Sequence, residues 1–291
     1  MLRMVGRKKF LSQRFASGRF QLFNRSHPPE SLLEICSIRQ YQVNNRNVFE
    51  LSPKYAKASG RHILYFHGGA YISGFLSFHW KFLARLVEKT GCTITAPDYP
   101  LAPAYTYKES FAMAEWIYNK LLHTHTPNDL ILMGDSAGGG FALAIAQKLQ
   151  IDRIPQPDQI ILLSPWLDIT LSNPQLNEYK GVEPFLGIEG LRTVGKQYAG
   201  DTPPDHYLLS PVYGSFEGLA TISVFIGTND ILLADARKLK TQLDSLGIEY
   251  NFFEYEEMPH AWMFLNFPES KKALQQILEL IKKTPNNHRP G

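Results

Sequence analysis

Hydrophobic positions along this chain fall into short unbroken runs separated by stretches of helical period, and that alternation predicts most of its elements. "HILYFH" (62–67), "CTITAPDY" (92–99), the run 130–135 and the runs at 159–163, 221–226 and 250–255 have the length of strands buried in a sheet. Between and after them, apolar residues recurring every three or four positions predict helices near 80–89, 107–122, 234–246 and 269–283, and a further helix directly after Ser136. Ahead of the series, alternating patterns at 36–43 and 46–51 flank the turn-prone Asn44-Asn45 and predict a pair of strands. Strand and helix in regular succession specify an α/β fold, with a mostly parallel sheet covered by helices on both faces.

One region breaks the rhythm. Residues 165–215 are rich in Pro, Gly, Asn and aromatics and carry only short helical patterns, so they are expected to cover a site or to run as a long surface excursion. With 291 residues the chain can bury a large core, and one α/β domain spanning 1–291 is expected, its cap elements drawn from 1–35 and about 165–215.

Charge adds a second asymmetry. The formal net charge is only +3, too small to call for a nucleic-acid partner. Arg3, Arg7, Lys8, Lys9, Arg14, Arg19 and Arg25 nevertheless stand in a segment with no acidic residue before Glu30, interleaved with Phe10, Leu11, Phe15, Phe20, Leu22 and Phe23. Helices packed on the body with solvated charges are the expected form of this segment, while membrane-surface contact and a flexible basic arm are compatible with it. Its recurring cations interrupt any secretory apolar run, and no stretch of about 20 apolar residues predicts a membrane span. Cys36 and Cys92 are the only cysteines, without C-x-x-C spacing or clustered histidines, so two buried thiols in a cytoplasmic protein are expected rather than disulfides or structural zinc. Assembly as a homodimer stays open.

The chemistry is concentrated where "LILMGDSAGGGFALAIA" (130–146) turns from strand into helix. Gly134-Asp135-Ser136-Ala137-Gly138 has the G-x-S-x-G spacing of a nucleophile elbow, in which a sharp turn lifts a serine clear of the sheet. No Lys-Ser or Lys-Thr pair follows, which disfavours a phosphate-binding loop. The spacing alone arises by chance about once in ten chains of this composition, so other residues must support it. A serine hydroxyl needs a base, and the base needs a group to hold its tautomer, in the chain order Ser, Asp or Glu, His. Asp230 in "FIGTNDILLADA" and His260 in "MPHAW" meet that order, each just past a predicted strand. Asp235 competes with Asp230 but is better read as a helix-terminal residue. His67 and His79 precede Ser136, and His67 is read as a loop-fixing hydrogen bonder. "YFHGGAYISG" (65–74) places Gly68 and Gly69 directly after a strand, where their N–H groups, with that of Ala137, would meet an oxyanion. Tyr71, Phe75, Trp80, Trp166 and Trp262 are candidates to line a pocket for short acyl groups. This chemistry requires no metal or organic cofactor.

Taken together, "FHGGAYISG", "DYPLAPAYTYKES", "GDSAGG", "GTNDILLAD" and "MPHAW" resemble the hormone-sensitive-lipase-like branch of the α/β-hydrolase esterases over roughly residues 60–281. The resemblance implies an α/β-hydrolase fold with a helical cap, an oxyanion hole at the His-Gly-Gly block, and a serine that attacks small esters through an acyl-enzyme. A peptidase or amidase would use the same triad, and the family's gibberellin-receptor type keeps the fold without hydrolysis but lacks the histidine. Two departures stand out: Ala70 replaces a third glycine, and Pro100 and Ala104 replace an Arg and a Glu, removing an ion pair that would brace that loop.

Overall fold

The computed structural model describes residues 26–179 and 181–283. Expectations for the basic segment up to residue 25 lie outside the described residues. An eight-stranded sheet runs through the molecule in the order β1-β2-β4-β3-β5-β6-β7-β8. Its strands are β1 (Cys36–Val43), β2 (Arg46–Pro53), β3 (His62–Phe66), β4 (Thr93–Pro97), β5 (Leu130–Asp135), β6 (Gln159–Leu163), β7 (Thr221–Gly227) and β8 (Tyr250–Tyr255). The β1–β2 and β2–β4 pairings are antiparallel, and every pairing from β4 through β8 is parallel. Asn44 and Asn45 both take positive φ, 49° and 60°, which matches the tight turn of a right-twisted hairpin.

The described residues form six α-helices, five beside the sheet and one in the insertion: α1 (Ser77–Thr90), α2 (Tyr107–Leu122), α3 (Ala137–Ile151), α4 (Ile188–Ala199, in the insertion), α5 (Leu233–Ser245) and α6 (Pro268–Lys282). Side-chain alternation along the strands divides the core into two layers. Ile63, Tyr65, Ile131, Met133, Ile161 and Leu163 pack with Trp80, Leu83 and Val87 of α1 and with Ala273, Ile277 and Ile281 of α6. Leu64, Phe66, Leu132, Ile160, Leu162 and Val224 point the other way, onto a layer containing Ile117 of α2, Phe141 of α3 and Leu239 of α5. Helix α3 lies under the insertion as well as over the sheet, so Ala137 through Gln147 are buried without interruption. That double cover explains why its sequence is apolar on all sides rather than striped.

Parallel order gives the sheet two chemically different edges. At the carboxyl edge β3 leads into His67-Gly68-Gly69, β5 into Ser136, β7 into the Asp230 loop and β8 into the His260 loop. Strand order reverses direction between β3 and β5, the position where an open α/β sheet leaves a crevice. At the amino edge, buried Arg61 fastens three elements. Its Nε donates to Ile281 O (3.2 Å), its Nη1 to Asn128 O (2.5 Å) and its Nη2 to Asp158 Oδ2 (2.6 Å). Replacing Arg61 by Ala would leave Asp158 as an uncompensated, nearly buried charge. Arg61→Ala is therefore expected to lower unfolding free energy by about 3 kcal/mol, read as a lower denaturant midpoint with an unchanged slope.

Candidate active site

Ser136 follows β5 with φ 52° and ψ −121°, outside the regions a serine ordinarily occupies. Four hydrogen bonds hold it there. Its N–H donates to Leu163 O (2.8 Å), and its carbonyl accepts from the amides of Gly139 (3.0 Å), Gly140 (3.2 Å) and Trp166 (2.8 Å). The flanking glycines are required by proximity: a β-carbon on Gly134 would lie 2.2 Å from Gly138 O, and one on Gly138 would lie 2.0 Å from Phe66 O. Helix α3 can thus start hard against the ends of β3 and β5, and the turn has room only for hydrogen at both positions.

Three side chains from separate loops meet at this turn. His260 Nε2 stands 2.9 Å from Ser136 Oγ, and His260 Nδ1 stands 2.8 Å from Asp230 Oδ2. Asp230 is fully buried, and its Oδ1 accepts the Leu232 amide (2.9 Å), which fixes the carboxylate plane. The His260 loop is fixed in turn by Ala261 N–H donating to Ser164 Oγ (3.2 Å) and by His260 N–H donating to Glu183 Oε2 (3.0 Å). Burial lowers the affinity of His260 for a proton, but the charge and hydrogen bond of Asp230, with Glu183 and Asp135 adding to them, carry it above the ordinary histidine value.

The loop after β3 is organised by Asp135. Its Oδ1 accepts the Gly68 amide (2.9 Å) and the Tyr65 hydroxyl (2.6 Å), while Oδ2 faces His79 Nε2 at 3.3 Å. His79 Nδ1 accepts the Leu76 amide (2.9 Å), so the ring hydrogen sits on Nε2 and points at the carboxylate. Burial raises the Asp135 carboxyl, yet His79 and the hydrogen bonds from Tyr65 and Gly68 overcome it and hold the group below the usual carboxylate range. The Gly68 N–H expected to face an oxyanion is therefore engaged within the protein. The next amide in the loop, that of Gly69, and those of Ala70 and Ala137 have no partner among the described residues.

A family model described as the alpha/beta hydrolase fold matches residues 63–264, which include all of these groups. The chain belongs to the α/β-hydrolase family. An esterase of Acinetobacter venetianus is 30% identical over 259 residues, covering 88% of this hydrolase and 84% of that protein. An acetyl-hydrolase of Streptomyces hygroscopicus is 31% identical over 223 residues, covering 76% and 75% of the two chains. A crystal structure of an esterase from the bacterial hormone-sensitive lipase family superposes with a TM-score of 0.82 at 26% identity, covering 96% of this hydrolase and 91% of that chain.

Above Ser136 the hydrolase has a cavity of about 280 Å³ bordered by Ser136, His260, Gly69 and Ala70. Its apolar wall comes from Leu76, Phe78, Phe185, Leu186, Leu191 and Phe264. The five aromatics expected in the pocket are packed behind it instead. Tyr71 and Trp166 belong to the core layer under α3, and Phe75, Trp80 and Trp262 to the layer under α1 and α6. These five rings gain most from full burial, and the cavity is walled by leucines and other phenylalanines, drawn from α1, α4 and the segments around 185 and 264. Asp235 lies apart from His260: its Oδ1 accepts Asn173 Nδ2 (3.0 Å), and burial pushes its carboxyl up to about 6. His67 fixes its loop through Nδ1 and Gly68 O (2.7 Å), and burial lowers it to about 3, so it is neutral.

Bracing of the loop at 98–104 also differs from expectation, because a different arginine does the work. Arg46, from β2, donates through Nε to Asp98 O (2.9 Å) and through Nη2 to Tyr99 O (3.2 Å), and pairs with Asp98 Oδ2 at 3.1 Å. Tyr99 then donates its hydroxyl to His67 O (2.6 Å), tying this loop to the one that carries Gly69. Motif reasoning gives no role to Asp135, Glu183 or Ser164, and weighs His79 only as a base that stands too early in the chain. Asp135 occupies a free position of G-x-S-x-G, and the others stand in stretches whose pattern carries no chemical signal. Gly138→Ala forces its β-carbon against the backbone of Phe66 and should displace the elbow. The expected result is at least a 100-fold loss of kcat for an activated ester, together with a lower melting temperature.

Proposed function

We propose that Ser136 is the nucleophile of a serine carboxylesterase, with His260 as its general base and Asp230 as the group that orients and charge-stabilises the imidazole. The chain is a carboxylic ester hydrolase, in keeping with its esterase and acetyl-hydrolase relatives. The observation that carries the mechanism is the continuous hydrogen-bonded line from Ser136 Oγ through His260 to Asp230 beneath an apolar cavity. His260 takes the serine proton as Oγ attacks the ester carbonyl, and Asp230 steadies the imidazolium that forms. His260 then returns the proton to the leaving alkoxide, and water, activated by the same imidazole, releases the acid from the acyl-enzyme.

The oxyanion is assigned to the amides of Gly69, Ala70 and Ala137, the three near the serine that have no internal partner among the described residues. Gly68 supports them indirectly, through Asp135. Ala70 contributes as well as a glycine would, since only its N–H is needed, and the chain already holds it at φ 52°. The segment 165–215 serves as a cover, because it brings Phe185, Leu186 and Leu191 to the cavity. At about 280 Å³ the space lies at the small end of small-molecule sites, which favours short acyl groups.

An acyl-length series of p-nitrophenyl esters, run beside a peptide panel, tests this reading. Hydrolysis should be fastest for short chains and exceed any amide cleavage. A peptide preference would move the assignment to an amidase, and a folded protein inert to every ester would sink it. Ser136→Ala should lower kcat by about 10⁵- to 10⁶-fold without unfolding the protein. Because protonated His260 cannot accept the serine proton, kcat/KM should rise with pH, and its midpoint should lie above the reference histidine value of about 6.5.

A further inference from the structure

Glu183 belongs to no motif, yet it is one of the most buried carboxyl groups in the molecule, with 1% of its surface exposed. Three backbone amides converge on it. Oε2 accepts the N–H of His260 (3.0 Å), while Oε1 accepts the N–H groups of Phe185 (2.6 Å) and Leu186 (3.3 Å). Phe185 and Leu186 are walls of the cavity, and His260 carries the imidazole that faces Ser136. One carboxyl therefore joins the wall of the acyl site to the main chain of the base, across 77 residues of sequence.

We propose that Glu183 is a positioning residue for the hydrolytic reaction: it clamps the His260 backbone to the acyl-site wall and places a second negative charge beside the imidazolium that forms during proton transfer. This rests on the reading of Ser136, His260 and Asp230 as the reacting triad. The three donors fix the form that works. A carboxylate accepts all three N–H groups strongly, whereas protonating one oxygen exchanges an acceptor lone pair for an O–H and weakens the bond to the amide on that oxygen. The titratable groups acting on Glu183 are Asp230, which repels its charge, and His260, which attracts it when protonated; its hydrogen-bonding partners are main-chain amides. Burial and Asp230 push Glu183 up to about 7, with His260 and the amides pulling the other way. The arrangement is thus costly with a neutral imidazole and eased once His260 takes the serine proton, which is the condition for favouring the transition state over the resting state.

A merely structural Glu183 and a positioning one predict different titrations. The test uses the full chain with Glu183→Gln, and with Glu183→Ala as a second variant that introduces no misplaced donor. The His260 ring is titrated by NMR without substrate, and kcat and KM for a short p-nitrophenyl ester are followed against pH. Loss of the charge should move the His260 titration down by about one unit, with the acid limb of kcat/KM following it to lower pH. The plateau kcat should fall about 10- to 100-fold while KM changes less than about threefold. A folded variant whose His260 titration and pH–rate midpoint match the parent would overturn the proposal, however far its melting temperature has dropped. A parent protein without ester hydrolysis would instead overturn the esterase reading, since the ring titration is read without any ester.

Discussion

At Ser136 the main chain adopts φ 52° and ψ −121°, a conformation that costs about 1–3 kcal/mol and persists only where the surroundings over-determine it. Here they do so from three directions. Strand β6 takes the serine N–H, the first turn of α3 and Trp166 take its carbonyl, and the missing side chains of Gly134 and Gly138 let β3, β5 and α3 close around it. Everything else in the site is measured from that fixed point. Ala137 and Gly69, whose amides have no partner among the described residues, stand in the turns that follow the neighbouring strands β5 and β3, and His260 reaches Ser136 from the end of β8 at the same edge of the sheet. If the turn relaxed to ordinary backbone angles, the serine oxygen would leave the line of His260, and no adjustment of a side chain would restore it.

Around His260 the protein buries three carboxyl groups, Asp135, Asp230 and Glu183, and each is made tolerable in a different way. Asp135 is satisfied by a hydroxyl, an amide and the second histidine, so it acts as a structural anion for the Gly68 loop. Asp230 spends one oxygen on the Leu232 amide and the other on His260. Glu183 is held by main-chain amides, which favour its charge, while burial and the charge of Asp230 push it up to about 7. Desolvation alone would make His260 a weak base; the surrounding anions reverse that outcome, and the balance leaves a stronger base than free histidine. The proton affinity of His260 is therefore set by a field of buried charges rather than by one partner.

Much of this was legible in the residues because it is local or ordered by topology. Short apolar runs predicted strands that the fold realises at 159–163 and 250–255, alternation predicted the strand at 36–43, and the periodicity at 107–122 predicted α2. The candidates Ser136, Asp230 and His260 came from chain order combined with the rule that parallel strands end at one edge, and the three side chains do meet there. What failed was the part that depends on packing across the chain. Aromatics near the motifs were expected to border a ligand, but Trp80, Trp166 and Trp262 are worth more inside the core than beside a cavity. Gly68 and Gly69 look alike in sequence, and only the position of Asp135 distinguishes the amide that is already used from the one without a partner among the described residues. Glu183 had no signal at all, since a glutamate in a Pro- and Gly-rich stretch reads as solvated until the fold closes over it.

The loop at 98–104 shows why a missing motif residue need not mean a missing function. With Pro100 and Ala104 in place of a charged pair, the local sequence offers nothing to hold the loop, yet Arg46 does so from a neighbouring antiparallel strand through two carbonyls and one carboxylate. Ser110 adds a bond to Pro100 O (2.8 Å), and the Tyr99 hydroxyl passes the constraint on to His67 and hence to the loop bearing Gly69. A brace of this kind has to satisfy a geometry, not a sequence position: any donor that reaches the same carbonyls will serve. The turn at Ser136 has no such freedom, because its glycines are fixed by backbone atoms of the protein that cannot move apart without opening the sheet. Steric constraints of the main chain thus leave a readable motif, whereas side-chain supports migrate and become visible only in three dimensions.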